Sequence, residues 1–354
     1  MNSMQRVTAA IMREETDRCP VYPILAGISR KLVGATYKEW STDAKICAEA
    51  FYRSVVEFEL DTAVTLIDLS IECDAWGQPI IYNENDAAHP DYKNQVIKST
   101  EDYAKIKKAD YRTSERMMMH IDVCKRLVEK SNGEFPVVAF VFGPLGVLSM
   151  LRGQQEMYMD IYDDPDAVNA AAREINETLK DYVNAIIDTG VNAVMLDTLF
   201  ASGSIMSKQM WKETEGGLAK ELADICHARG CLVMIHNCGE KIYMDAQIES
   251  MNPCAISFLH VPDDCKDFYE CKQKYGSKVT LIGCVPPPMA IVATDEEWIE
   301  KCKEQIDMFG AGGGYMLATG CEYPSCADLN KARLMVETAK SYNPHKKSVR
   351  QLAG

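Results

Sequence analysis

The feature that most limits this chain's fold is a recurrence of short, nearly continuous apolar runs between longer amphipathic stretches. The runs are Val21–Leu25, Ala63–Ile67, Val137–Phe142, Ala193–Leu196, Leu232–Ile235, Ala255–Phe258, Val279–Ile282 and Tyr315–Ala318. Each is strand length and rich in β-branched or aromatic residues. Between them the apolar residues take helical spacing. Ala167–Ile187 follows Asp164–Pro165 and stops at Gly190; Lys208–Ala228 starts behind Ser207 and stops at Gly230; Glu296–Phe309 follows Thr294–Asp295 and stops at Gly310. Strands that are apolar on both faces belong to a parallel sheet covered by helices. Eight of them favour a closed α/β barrel, a (β/α)8 TIM barrel with additional N-terminal and loop elements, over an open doubly wound sheet. No Gly-x-Gly-x-x-Gly turn follows the first run, which agrees. One such barrel accounts for residues 1–354 as a single catalytic domain. The longest interval, 68–136, must hold extra elements, with Asn83–Asn94 as an exposed loop over the barrel mouth.

Charge and composition narrow the partners. A formal net charge of −14 sets the surface against nucleic acid. No stretch approaches the ~18 uninterrupted apolar residues of a membrane span. The first twenty residues carry charges throughout and hold no apolar leader segment. The expectation is a cytoplasmic protein that uses neither nucleic acid nor membrane. Fourteen cysteines show no paired framework, so most read as small buried hydrophobes in a reducing compartment.

A TIM barrel builds its active site at the C-terminal ends of its strands. The residues just beyond the runs are therefore the candidates. They are Asp68, Ser70, Glu72 and Asp74; Gly143–Pro144; Asp197–Thr198; His236-Asn-Cys238; Gly283–Cys284; and Thr319-Gly-Cys321-Glu322. His236-x-Cys238 is the sharpest signal, because residues two apart on an extended segment point the same way. An imidazole and a thiolate so placed suit zinc, and one more thiolate completes a three-ligand catalytic site. Cys321, Cys284 and Cys326 compete for that place by position. The competing reading makes His236 a satisfied strand-end histidine and Cys238 a packing residue. Asp197 ends a buried strand, where it either handles a proton or substrate or caps the next loop. Glu72 and Asp74 are metal-supporting carboxylates or charged loop residues. His260 is an outside candidate, and His89, His120, His227 and His345 read as surface or helix residues. Gly310–Gly314 precedes a strand and reads as a turn, not a phosphate loop.

These residues resemble the uroporphyrinogen decarboxylase superfamily, and within it the zinc-dependent, corrinoid-linked methyltransferase branch. The resemblance rests on His236-x-Cys238 with a distant Cys321 in Thr-Gly-Cys-Glu-Tyr-Pro, on Ser70-Ile-Glu72-Cys-Asp74-Ala-Trp-Gly77, and on the segment Asp197–Ser207. Three elements depart from the decarboxylases themselves. Their arginine-rich N-terminal loop is replaced by Ala26-Gly-Ile-Ser-Arg30, their Gly-Asn-x-Asp-Pro appears as Gly283-Cys-Val-Pro-Pro287, and their Gly-His-Gly becomes Gly320-Cys321-Glu322. Asp68 falls where their essential aspartate lies.

The resemblance implies zinc held by His236, Cys238 and Cys321, with Asp197 and Glu72 as catalytic carboxylates and Asp68, Ser70, Gly143 and Glu322 lining the substrate pocket. It also implies a methyl group moved between a corrinoid (cobalamin) and a small molecule: a methoxyarene, a methylamine or a thiol. The chain holds no Asp-x-His-x-x-Gly stretch to ligate cobalt, so the corrinoid is expected on a separate carrier protein docking over the mouth. Ile71, Leu145 and Tyr323 are expected to offer that carrier apolar contact. Two other readings are a cofactor-independent decarboxylase of the uroporphyrinogen type and a non-catalytic zinc-binding protein.

Overall fold

A computed structural model describes residues 1–344; His345, expected on the surface or in a helix, lies outside them. Seven parallel strands hydrogen-bond in chain order. They are β1 Ala63–Val64, β2 Val137–Phe142, β3 Ala193–Asp197, β4 Leu232–Asn237, β5 Ala255–Phe258, β6 Thr280–Val285 and β7 Tyr315–Thr319. The eighth position belongs to residues 20–24. Val21 makes a single parallel bridge to Leu317; the Tyr22 N–H donates to the Leu317 carbonyl at 2.8 Å, and the Leu317 N–H donates to that of Pro20 at 2.8 Å. On the other side the Asp61 N–H donates to the Val21 carbonyl at 3.0 Å. The segment thus joins β7 to the residues leading into β1 and closes the barrel. It is not the full strand expected over Val21–Leu25, because Pro23 has no N–H to extend the ladder.

The sheet is buried on both faces, as its composition requires: Val194, Leu196, Ile235, Ile256, Leu281 and Leu317 have no exposed surface. Burying each such side chain contributes about 1.5–3 kcal/mol relative to leaving it in water. The covering helices include α1 Ser3–Met12, α2 Glu115–Ser131, α3 Pro144–Arg152, α4 Pro165–Asp188, α5 Gly217–Ala228 and α6 Asp295–Phe309. Helix α4 starts as its sequence implies, with the Asp164 carboxylate accepting the Ala167 N–H at 3.2 Å and Pro165 in the first turn. Thr294 and Glu297 form a capping box at the start of α6.

Lys208–Ala228 is not one regular helix. Ser207 caps it, but Lys208–Trp211 gives way to a π turn at Lys212–Gly216 before α5 begins. The interval 68–136 holds three 3₁₀ turns, α2, and a small hairpin pairing Ile80–Ile81 with His89–Pro90. The polar segment Asn83–Asn94 is therefore partly hairpin and not all loop.

Candidate metal centre

Strand register assembles the centre. Asp197, the last residue of β3, pairs with His236 on β4, and His236 pairs with Ser257 on β5. One row across three strands therefore carries a carboxylate, an imidazole and a hydroxyl at the C-terminal end of the barrel. Ser257 Oγ lies 3.0 Å from His236 Nδ1, which fixes the ring. Asn237 points the other way. Its amide donates to the carbonyls of Thr198 at 2.9 Å and Ala201 at 3.2 Å and accepts the Gly239 N–H at 3.0 Å. The backbone beyond β4 is thereby set so that Cys238 returns to the side of His236. Cys321 arrives from the far side, just past β7. The preceding Gly320 lies against Leu259, where an added Cβ would fall 2.5–2.8 Å from that residue's atoms, so no larger residue fits this approach.

Ligand atoms of His236, Cys238 and Cys321 all lie within 4.8 Å of one another. The contact with Cys238, together with the nearby imidazole, pulls Cys321 down, while the same contact and burial push Cys238 up. Burial opposes charge on His236, but Cys321, Asp197 and Glu322 raise its pKa. Two thiols and one imidazole this close together form a donor set suited to a divalent cation. The other close group among the described residues, Asp245, Asp263 and Asp264, is compensated by Lys208 and Lys274.

Five carboxyl groups gather at this end of the barrel, and two of them, Asp197 and Glu322, act on the triad. Burial pushes Asp197 up to about 6, against the pull of His236; its Oδ1 accepts the Leu199 N–H at 3.0 Å. Burial likewise pushes Glu72 and Glu322 to about 8 and Glu215 to about 7. Glu72 Oε1 accepts the Phe142 N–H at 3.1 Å, and Glu215 Oε1 accepts the Leu145 N–H at 3.1 Å. The two acids thus brace the β2–α3 junction from opposite sides. Gly143 lies between them because a Cβ there would fall 2.6 Å from Glu215 Oε1 and 2.9 Å from the Asp197 carbonyl oxygen. Asp68 is held by both ends of the Arg116 guanidinium, at 3.0 and 2.5 Å, and by Ser70 Oγ at 2.6 Å.

Of the rival ligands, Cys284 is buried within β6 and Cys326 is exposed; neither joins the triad. His120 is a helix residue as expected, but a buried one, set between Thr65 and Tyr182 and lowered by burial to about 4. Ile71, Leu145 and Tyr323 are buried, so they cannot provide the apolar contact surface expected of them. The exposed apolar residues just beyond strand ends are Leu69, after β1, and Ile291 and Val292, after β6.

The family model of uroporphyrinogen decarboxylase (URO-D) matches residues 2–342. The chain belongs to the uroporphyrinogen decarboxylase family. Its relatives include the methylcobamide:CoM methyltransferase MtaA of Methanosarcina barkeri, 22% identical over 95% of this chain and 97% of the relative. A uroporphyrinogen decarboxylase of Neisseria meningitidis is also 22% identical, over 84% of this chain and 82% of its own length. A methyltransferase from Methanosarcina mazei shares the fold with a TM-score of 0.76 at 18% identity, covering 96% of this chain and 99% of the other. Within the family fold, sequence reasoning missed Ser257, Arg116 and Glu215. Each had a faint signal: a lone hydroxyl in an apolar strand, an arginine in the first turn of α2, and a glutamate four residues after Trp211 in a helical run. Among the described residues no helix is long and apolar enough to cross a membrane.

Proposed function

We propose that this chain is a zinc-dependent methyltransferase that moves a methyl group between a corrinoid on a partner protein and a small molecule, a methoxyarene, methylamine or thiol. The observation that carries this reading is the convergence of His236, Cys238 and Cys321 at the barrel mouth. Those three residues would hold zinc and leave one position for substrate. Zinc bound there supplies a Lewis acid that lowers a thiol's pKa or polarises a methyl-bearing heteroatom.

The chain's own residues do the rest. Ser257 and Asn237 hold His236 and Cys238 in register, so little reorganisation is needed on substrate binding. Asp197 is the carboxyl beside the ligand set, with Oδ1 engaged by Leu199 and Oδ2 left to take or return a substrate proton. Glu72 supports this chemistry through the backbone of Phe142, and Glu322, beside Cys321, lines the pocket with Asp68, Ser70 and Gly143. Leu69, Ile291 and Val292 offer the carrier an apolar rim. In this reading residues 1–354 act as one catalytic domain in the cytoplasm.

The decarboxylase relatives favour a second reading at equal identity. It asks Asp68 to engage a porphyrinogen, but both oxygens of that carboxylate are already taken by Arg116. The test is to load the protein with zinc, add methylcobalamin or cob(I)alamin, and follow the cobalt absorption bands against thiols, methoxyarenes and methylamines. Substrate-dependent interconversion that disappears on chelation is expected. Stoichiometric zinc with no conversion across the panel would overturn the assignment.

A further inference from the structure

Helix α5 ends in a left-handed turn that brings two cysteines together. The Cys231 N–H donates to the Cys226 carbonyl at 2.9 Å, the Gly230 N–H donates to that of His227 at 3.1 Å, and Gly230 has φ +70°. In this helix-ending motif the two side chains at the positions of Cys226 and Cys231 meet, usually as an apolar contact. Here both are thiols. Their shared backbone hydrogen bond holds the two α-carbons within roughly 7 Å, near the range a disulfide spans. The proximity of Cys226, with Arg229 nearby, lowers Cys231, while the proximity of Cys231 and burial raise Cys226.

Cys231 does not itself line the apolar cavity of about 320 Å³ that its neighbours Gly230 and Leu232 border at the N-terminal end of the barrel; its Sγ lies 3.8 Å from the carbonyl oxygens of Val191 and Leu232. Cys226 has no exposed surface, whereas Cys231 keeps a little. One thiol is therefore placed to meet a small oxidant and the other to resolve it.

We propose that Cys226 and Cys231 are a modification site: a dithiol that a hydroperoxide converts to a disulfide tying α5 to the foot of β4. The Cys231 thiolate attacks the peroxide, the O–O bond breaks, and the departing oxygen leaves as an alcohol or water. The sulfenic acid so formed is attacked by the Cys226 sulfur, which gives up its proton as hydroxide leaves, so that water forms. Two thiols and one hydroperoxide thus yield one disulfide, one water and one alcohol or second water. His236 is at the other end of the same strand, about 16 Å away at ~3.3 Å per residue. The proposal does not depend on the methyltransferase reading.

The test treats the zinc-loaded protein with limiting hydrogen peroxide, blocks remaining thiols with N-ethylmaleimide after denaturation, and maps tryptic peptides. Cleavage after Arg229 separates the two cysteines, so the disulfide appears as peptide 221–229 linked to peptide 230–241. The expected map shows that pair joined through Cys231, reversed by dithiothreitol. In Cys226→Ser the linked pair should vanish and Cys231 should react with dimedone. The proposal is overturned if the exposed Cys326 oxidises while Cys226 and Cys231 stay fully alkylatable, or if the link runs through Cys238. The wild-type map decides by itself, so a variant that fails to fold leaves the test intact.

Discussion

The two ends of the barrel treat buried charge in opposite ways. At the N-terminal end Asp61 is fully buried and fully engaged: it accepts from Arg6 at 2.6 Å, from Arg18 at 2.7 Å and from the Val21 N–H at 2.7 Å. At the C-terminal end, among the described residues, Asp68 is the carboxylate with a guanidinium, and Glu72, Glu215 and Asp197 accept from N–H groups. A buried carboxylate bonded to guanidinium groups fixes its surroundings. Where no cation offsets it, burial pushes Glu72, Glu215 and Asp197 toward the neutral form against the pull of their N–H donors. The foot of the barrel is built to hold its shape. The mouth gathers carboxyl groups that burial pushes toward their neutral form beside the His236, Cys238 and Cys321 cluster.

The sharpest way to test that division is to remove the metal set. Cys238→Ser and Cys321→Ser should each lower zinc content and cut methyl transfer more than about 100-fold, while the unfolding midpoint moves little. Elemental analysis and the cobalamin assay read the first two effects, and a urea titration the third. Collapse of the fold in both variants would show that the mouth carries stability after all.

The converse experiment is Asp61→Asn at the foot. It leaves Arg6 and Arg18 buried without their shared counter-charge, which should cost about 3–5 kcal/mol in urea denaturation. Zinc per folded chain should stay at one. A loss of zinc stoichiometry in the folded fraction would mean that the two ends are coupled.

Ser257→Ala probes the mouth more gently. His236 loses the partner that orients its ring, so zinc affinity should fall roughly 10–100-fold while the fold keeps its stability. Competition with a chromophoric chelator measures this, and an unchanged affinity would remove Ser257 from the site's construction.

The smallest effect concerns Glu215, whose pKa rises from 4.5 unfolded to about 7 when folded. The folded state holds a proton that the unfolded chain releases. This group's contribution is therefore fully present below pH 4.5 and is lost as pH rises through about 7. Glu215→Gln should flatten that decline, by on the order of 1 kcal/mol between pH 5 and pH 8 in paired urea titrations. Parallel curves for the two proteins would show that Glu215 is ionised throughout.

Much of the barrel was legible because its strongest runs have no competing signal. Val137–Phe142 and Ala255–Phe258 are strands at the bounds their sequence suggests. Val21–Leu25 reads the same way until Pro23 is counted against it. His236 and Cys238 are readable because one extended segment carries both. Cys321 comes from the other side of the closed barrel, so spacing alone leaves it level with Cys284 and Cys326, and the family resemblance separates them. Glu72 illustrates the remaining difficulty. Its position beyond a strand suggests direct chemistry, yet its visible work is to hold the Phe142 N–H. Asp68 with Arg116, and His236 with Ser257, are pairs that only tertiary packing creates. No local pattern announces them.

The π turn at Lys212–Gly216 has a consequence for helical phase. One residue added to a helix of 3.6 residues per turn advances every later side chain by about 100°. The short helix before the turn and α5 after it therefore follow two registers that a regular helix cannot satisfy together. Glu215 stands where they meet, with one oxygen on the Trp211 indole N–H and the other on Leu145 of a neighbouring helix. Deleting a single residue between 212 and 214 would restore an unbroken hydrogen-bond ladder and by that measure improve the helix. It would also put Lys208–Trp211 and α5 out of phase by about a quarter turn, so Glu215 could no longer face both partners. The irregular turn is thus the arrangement in which one helix can serve two faces of the barrel wall.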